Sequence, residues 1–168
     1  VGDNQGASRA GIIETATGEV RWHDEAPRDS DSDPAPRVFG SGWNDAGTKA
    51  FVFAVSFDDK DRWLWSVDAA TGERTLLDHL HDEAWVAGPC FSCGGWISDE
   101  DRVYFVSEAT GYAHLYTVNA DGSDKTGLTS GEWEVLGVPI PEDRSRFLLT
   151  TNEGSPFNQH VSWMGFDG

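Results

Sequence analysis

The 168 residues carry 29 acidic against 12 basic side chains, a formal charge of −17, and that surface disfavours nucleic-acid binding through a basic groove and contact with anionic membranes. No apolar run approaches the roughly 18 residues of a membrane span, so membrane insertion is not expected. With 8 Trp, 9 Phe and 19 Gly but a single Met, the composition suits short strands joined by tight turns, and the expected fold class is all-β.

In chain order, Val1 to Ser8 is polar and is expected to fray. Ala10 to Glu14 reads as a strand, Ala16-Thr17-Gly18 as a turn and Val20 to Trp22 as a short return. His23 to Pro36 is crowded with Asp, Ser and Pro and reads as a surface loop, because Pro removes a ladder donor. A regular pattern begins at Val38, with the polar turn Gly42 to Gly47, the apolar run Ala50 to Val55, a strand at Trp63 to Val67, the turn Ala70-Thr71-Gly72 and a return at Arg74 to Leu77. The cycle restarts at Trp85 to Gly88 and passes Gly95 to Asp99. It continues through strands at Arg102 to Ser107, His114 to Asn119 and around Thr126 to Thr129. A last round contains Trp133 to Val138, the turn Pro141 to Ser145, Phe147 to Thr151 and His160 to Phe166.

The turn glycines Gly18, Gly72, Gly122 and Gly168 recur at intervals of roughly 54, 50 and 46 residues, the period of four-stranded propeller blades. Ala50 to Val55 and Val103 to Val106 are continuously apolar, so both faces of those strands should be covered, as radially stacked blades cover them and a two-sheet sandwich does not. The expected fold is a fragment of a β-propeller with about three to three and a half four-stranded antiparallel blades. The tail of a preceding blade and the acidic loop occupy residues 1–37, one blade 38–82, a second 83–131 and an incomplete third 132–168. Such an arc cannot close alone, so it should belong to a larger parent or self-associate through its terminal blades. The sequence opens on Val and lacks the features of a secretory signal, which also reads as a piece of something longer.

A set of motifs in order carries a family resemblance. Asp61-Arg62-Trp63-Leu64-Trp65, Ala70-Thr71-Gly72, His81-Asp82-Glu83-Ala84-Trp85-Val86, Ser107 to Tyr116 and Leu128 to Val135 are similar to the propeller of the dipeptidyl-peptidase IV group of serine peptidases, in the prolyl oligopeptidase clan. The match is good over about Asp61 to Val135 and thinner outside it. His160-Val161-Ser162-Trp163 stands where the family has an arginine or a glutamate before His-Leu-Tyr. TolB-type propellers share the Thr-Ser-Gly and Asp-Gly turns singly, which keeps a stand-alone protein- or peptide-binding scaffold as the alternative.

The resemblance implies a secreted or periplasmic two-domain parent in which the propeller gates access and helps grip a peptide's amino terminus. A separate α/β-hydrolase domain would hold the Ser-Asp-His triad. No Gly-x-Ser-x-Gly elbow occurs in these residues, and the family's acidic pair for the substrate ammonium should lie before Val1, so no catalytic residue and no cofactor are assigned.

Asp82, Glu83 and Trp85 are the candidate substrate-binding residues, because two carboxylates beside an aromatic ring suit an ammonium group. The competing role for them is a solvated turn with Trp85 packed between blades. Cys90 and Cys93, preceded by His79 and His81, have the ligand types of a zinc site at a spacing unlike the usual fingers. They are expected to form a local disulfide or remain two free thiols, with no metal. Glu108, Tyr112 and His114 bracket a hairpin and read as cross-strand partners. Trp133 reads as packing, and Asp99, Glu100 and Asp101 as a polar turn.

Overall fold

The computed structural model describes residues 10–23, 36–97 and 101–168, and among these every regular element is a strand. The expectations for residues 1–8, most of the acidic loop and the turn around Asp99 and Glu100 lie outside the described residues. Strands β1 (Ala10–Ile13) and β2 (Val20–His23) pair with each other. β3 (Arg37–Trp43), β4 (Lys49–Val55), β5 (Asp61–Asp68) and β6 (Arg74–His81) form a four-stranded sheet in sequence order. A second four-stranded sheet contains β7 (Gly94–Trp96), β8 (Arg102–Ser107), β9 (His114–Asn119) and β10 (Thr126–Gly127). β11 (Val135–Gly137), β12 (Phe147–Thr151) and β13 (His160–Met164) form a three-stranded one. All neighbours are antiparallel.

The repeating turn glycines share a physical cause. Gly18, Gly72, Gly122 and Gly168 have φ of 75°, 75°, 84° and 102°, a left-handed backbone that a side chain would strain. At the β5–β6 turn the Asp68 carboxylate accepts the backbone N–H groups of Ala70 and Thr71, and the Gly72 N–H closes the turn on the Asp68 carbonyl at 2.8 Å.

The sheets pack face to face through two apolar seams. In the first, Phe51, Phe53, Leu64 and Leu77 meet Trp96, Val103, Phe105 and Val118 of the next sheet. In the second, Ile97, Tyr104, Val106 and Leu115 meet Val135, Phe147 and Leu149. β8 therefore sends alternate side chains into opposite seams and is buried along nearly its whole length. The innermost strands also touch, since the Trp96 indole N–H donates to the Gly42 carbonyl at 2.9 Å. The result is an all-β, open arc of propeller blades.

Charge is buried in the first seam as well. Arg62 lies between the Phe53 and Phe91 rings, donates to the Phe91 carbonyl at 3.1 Å and faces Asp78 at 3.5 Å. Lys125 of the second sheet also pairs with Asp78, so one carboxylate ties two blades together.

Several elements differ from the sequence expectation, and β3 is one, since it runs through Gly42 and Trp43 where a turn was expected. The round that restarts at Trp85 to Gly88 forms its first strand only at Gly94, because a side-chain-capped turn at Asp82, positive φ at Gly88 and Cys90, and Pro89 all interrupt an extended ladder. The return after Gly72 runs on to His81, longer than the apolar run suggested, since Asp78 and His79 find partners there. β10 is only two residues long.

Candidate functional site

An antiparallel meander puts its turns alternately at two ends, which gives the arc two faces. One face carries the β4–β5 turn, the β6–β7 connection, the β8–β9 hairpin and the stretches before β11 and β13. Asp82, Glu83 and Trp85 lie on this face, in the connection after β6. The opposite face holds turns joined by Lys49–Asp101 and Arg144–Asp45 pairs, and an open cleft of about 320 Å³ lined by Lys49, Asp101, Arg102, Asn119 and Asp121.

The 82–86 segment is held at both ends. The Asp82 N–H donates to the Lys60 carbonyl at 2.9 Å and the Val86 N–H to the Asp59 carbonyl at 2.6 Å, while the Val86 side chain is buried. Between these anchors the Asp82 carboxylate accepts from the Ala84 and Trp85 N–H groups at 2.7 and 3.2 Å. Asp82 therefore shapes the turn. Glu83 and Trp85 project from it, with the Glu83 side chain 92% exposed and Trp85 66% exposed. Asp82 and Glu83 thus form the solvated turn of the competing reading, whereas Trp85 is not packed between blades, since Val86 takes the inward position.

Behind the segment, Cys90 and Cys93 are joined by a disulfide. Both thiols are consumed, which removes the sulfur ligands that a zinc site with His79 and His81 would need. The two histidines have a different partner: His79 Nε2 and His81 Nδ1 lie 2.7 and 2.9 Å from the same Asp61 oxygen. Asp61 stands directly across from His81 in the ladder, and the His79 ring stacks on Trp63 at 5.4 Å.

The hairpin residues separate into different roles. The β8–β9 ladder ends at the Ser107–His114 pair, so Glu108 and Tyr112 lie beyond it and are not cross-strand partners. Glu108 reaches across to the β6–β7 connection, where a Cβ on Gly88 would come within 2.4 Å of its carboxylate. Burial, then the neighbouring Glu134 carboxylate, push the Glu108 pKa above the ordinary value, while the Ala87 backbone and Arg62 pull it down. Glu134 accepts the Ala113 N–H at 2.6 Å.

His114 is buried. Its Nε2 donates to the Gly131 carbonyl at 3.0 Å, and its Nδ1 lies 3.0 Å from the Thr129 hydroxyl. Trp133 packs at the edge of the second seam and meets the His114 ring edge to face. Sequence reasoning missed the approach of Glu108 to the 82–93 connection. Gly88 opposite a hairpin glutamate was its only trace.

A protein from Arthroderma otae named dipeptidyl peptidase 4 is 30% identical over 74 residues, which cover 44% of this chain and 10% of that protein. An Emericella nidulans protein named "Probable dipeptidyl peptidase 4" is 28% identical over 144 residues, covering 77% and 18%. The crystal structure of Porphyromonas gingivalis dipeptidyl peptidase 4 superposes with a TM-score of 0.69 at 17% identity, over 95% of this chain and 22% of that one, a likeness of fold. The chain thus spans a tenth to a fifth of these curated relatives' length. Residues 7–162 match the model of the dipeptidyl peptidase IV (DPP IV) N-terminal region, and the chain belongs to that family.

Proposed function

We propose that the chain is a non-catalytic propeller segment of a dipeptidyl-peptidase IV-like serine exopeptidase. Its Glu83–Trp85 face narrows access and helps hold a peptide's amino terminus for cleavage by a separate α/β-hydrolase domain. The observation that carries the site assignment is an exposed carboxylate and an exposed indole projecting from a turn anchored at both ends. A peptide ammonium meeting them gains a charge-assisted hydrogen bond and a cation–π contact, the latter about 0.5–1 kcal/mol at an exposed site. Because the turn is fixed by Asp82, little ordering cost opposes binding.

The test is steady-state kinetics of the full-length enzyme on dipeptidyl substrates with a free amino terminus. Glu83→Gln is expected to raise KM about two- to fivefold with kcat unchanged, the size of one exposed ion pair. Trp85→Ala should do the same. An unchanged KM in both variants removes the site. A full-length protein with no peptidase activity would favour the stand-alone scaffold instead.

A further inference from the structure

We propose that the face carrying Glu83 and Trp85 is a docking strip for an extended peptide segment rich in lysine or arginine, independent of any contact with a peptide's amino terminus. The repeat builds this surface. The β4–β5 turn, the β8–β9 hairpin and the β12–β13 connection occupy the same place in successive sheets, and each leaves one large ring in solvent: Phe57, Tyr112 and Phe157. The β6–β7 connection adds the exposed Trp85 and the β10–β11 connection the half-buried Trp133, so aromatic side chains follow the arc along one side. On the other side, the turns among the described residues carry no exposed large hydrophobic, and Trp43 at the end of β3 is the nearest. A ring left in water by each successive module is a patterned surface and not a scatter of single exposures.

Charge decides the partner. Each of the stretches 56–60, 82–93, 108–113, 128–134 and 152–159 carries a carboxylate, and Lys60 is the one lysine or arginine in them. Glu83, Glu132 and Glu153 are exposed, and Glu132 and Glu153 meet no cation among the described residues. The opposite face neutralises acids from within, through the Lys49–Asp101 and Arg144–Asp45 pairs. Unpaired carboxylates beside exposed rings repel phosphates and anionic lipid headgroups. They suit a guanidinium or an ammonium, which can meet a ring face and a carboxylate at once. Because the rings recur sheet by sheet, a basic chain laid along the arc meets them in succession, as a single small cation does not. If the function proposed above holds, that chain is the part of a substrate beyond its amino-terminal residues; the docking itself does not rest on that reading.

The experiment is fluorescence anisotropy of a labelled, N-acetylated peptide of alternating arginine and glycine, titrated with the full-length protein at low and at high salt. Blocking the amino terminus separates this test from the Glu83 kinetics above, which read the contact with a free ammonium, so either can fail alone. The arginine peptide is expected to bind at low salt and to weaken as salt rises, while its glutamate–glycine counterpart should not bind. Phe57→Ser and Tyr112→Ser, at exposed positions outside the 82–86 turn and outside both apolar seams, should each weaken binding about two- to fivefold, the size of one exposed cation–π contact. No binding of the arginine peptide, equal binding of the glutamate peptide, or an affinity that both serine variants leave unchanged overturns the docking strip.

Discussion

Strands β8 and β12 occupy the same place in successive sheets, second from the inside, yet only one is buried on both faces. From Val103 to Ser107 every residue of β8 is buried, whereas β12 alternates, with Phe147, Leu149 and Thr151 buried and Leu148 and Thr150 half-exposed. The cause is the neighbourhood. β8 has a packed sheet on each side, while the described residues place a sheet against only one side of β12. An unbroken apolar run is thus a property of a module between two others, and an alternating run marks a module with one covered face. The seams differ too, since the first encloses Arg62, Asp78 and the Lys125 pair and the second is lined mainly by apolar side chains around the disulfide.

The contrast predicts a graded series of stabilities, read by urea unfolding of the chain. The largest losses belong to the first seam. Phe105→Ala should cost about 3–5 kcal/mol, because the ring is fully buried and stacked on Tyr116. Asp78→Ala should cost about 3–5 kcal/mol by leaving Arg62 buried without its counter-charge. On β12 the cost should follow the face. Leu149→Ala is expected to lose about 2–5 kcal/mol, and Leu148→Ala, one residue away, less than about 1 kcal/mol. Equal losses at Leu148 and Leu149 would mean that β12 is covered on both sides and would break the comparison.

The middle strands were legible in the sequence because burial on two faces writes a continuous apolar run, as in Phe51 to Val55 and Val103 to Val106. The turns were legible because a left-handed backbone selects Gly72 and Gly122. The inner strands β3 and β7 were not. They are rich in glycine because aromatic rings lie over them: a Cβ on Gly42 would stand 2.7 Å from the Phe51 ring, and one on Gly94 would stand 2.7 Å from Phe53. Their signal is the absence of side chains, which reads as a turn. At the candidate site, Asp82, Glu83 and Trp85 could be picked out as residue types. Their division of labour could not, because which carboxylate caps the turn depends on the backbone N–H groups of Ala84 and Trp85. The contacts of His79 and His81 with Asp61 depend on a cross-strand register that local sequence does not contain.

The smallest effect in the series tests the side of β8 that reaches the candidate face. Glu108 extends the strand toward the β6–β7 connection, and burial together with Glu134 raises its pKa in the folded chain. A raised carboxylate pKa means that folding favours the protonated form, so stability is highest below the ordinary carboxylate value of 4.5 and is lost as pH rises through the elevated folded value. Glu108→Gln, neutral at every pH and similar in shape, should therefore melt slightly above the wild type at pH 7. The difference should vanish at about pH 4, where the wild-type carboxylate is itself largely protonated. Partial solvent exposure and the attraction of Arg62 keep the gain small. A Gln variant that melts below the wild type at pH 7 would show that the Arg62 attraction outweighs burial, and that Glu108 holds the two loops together as a charge.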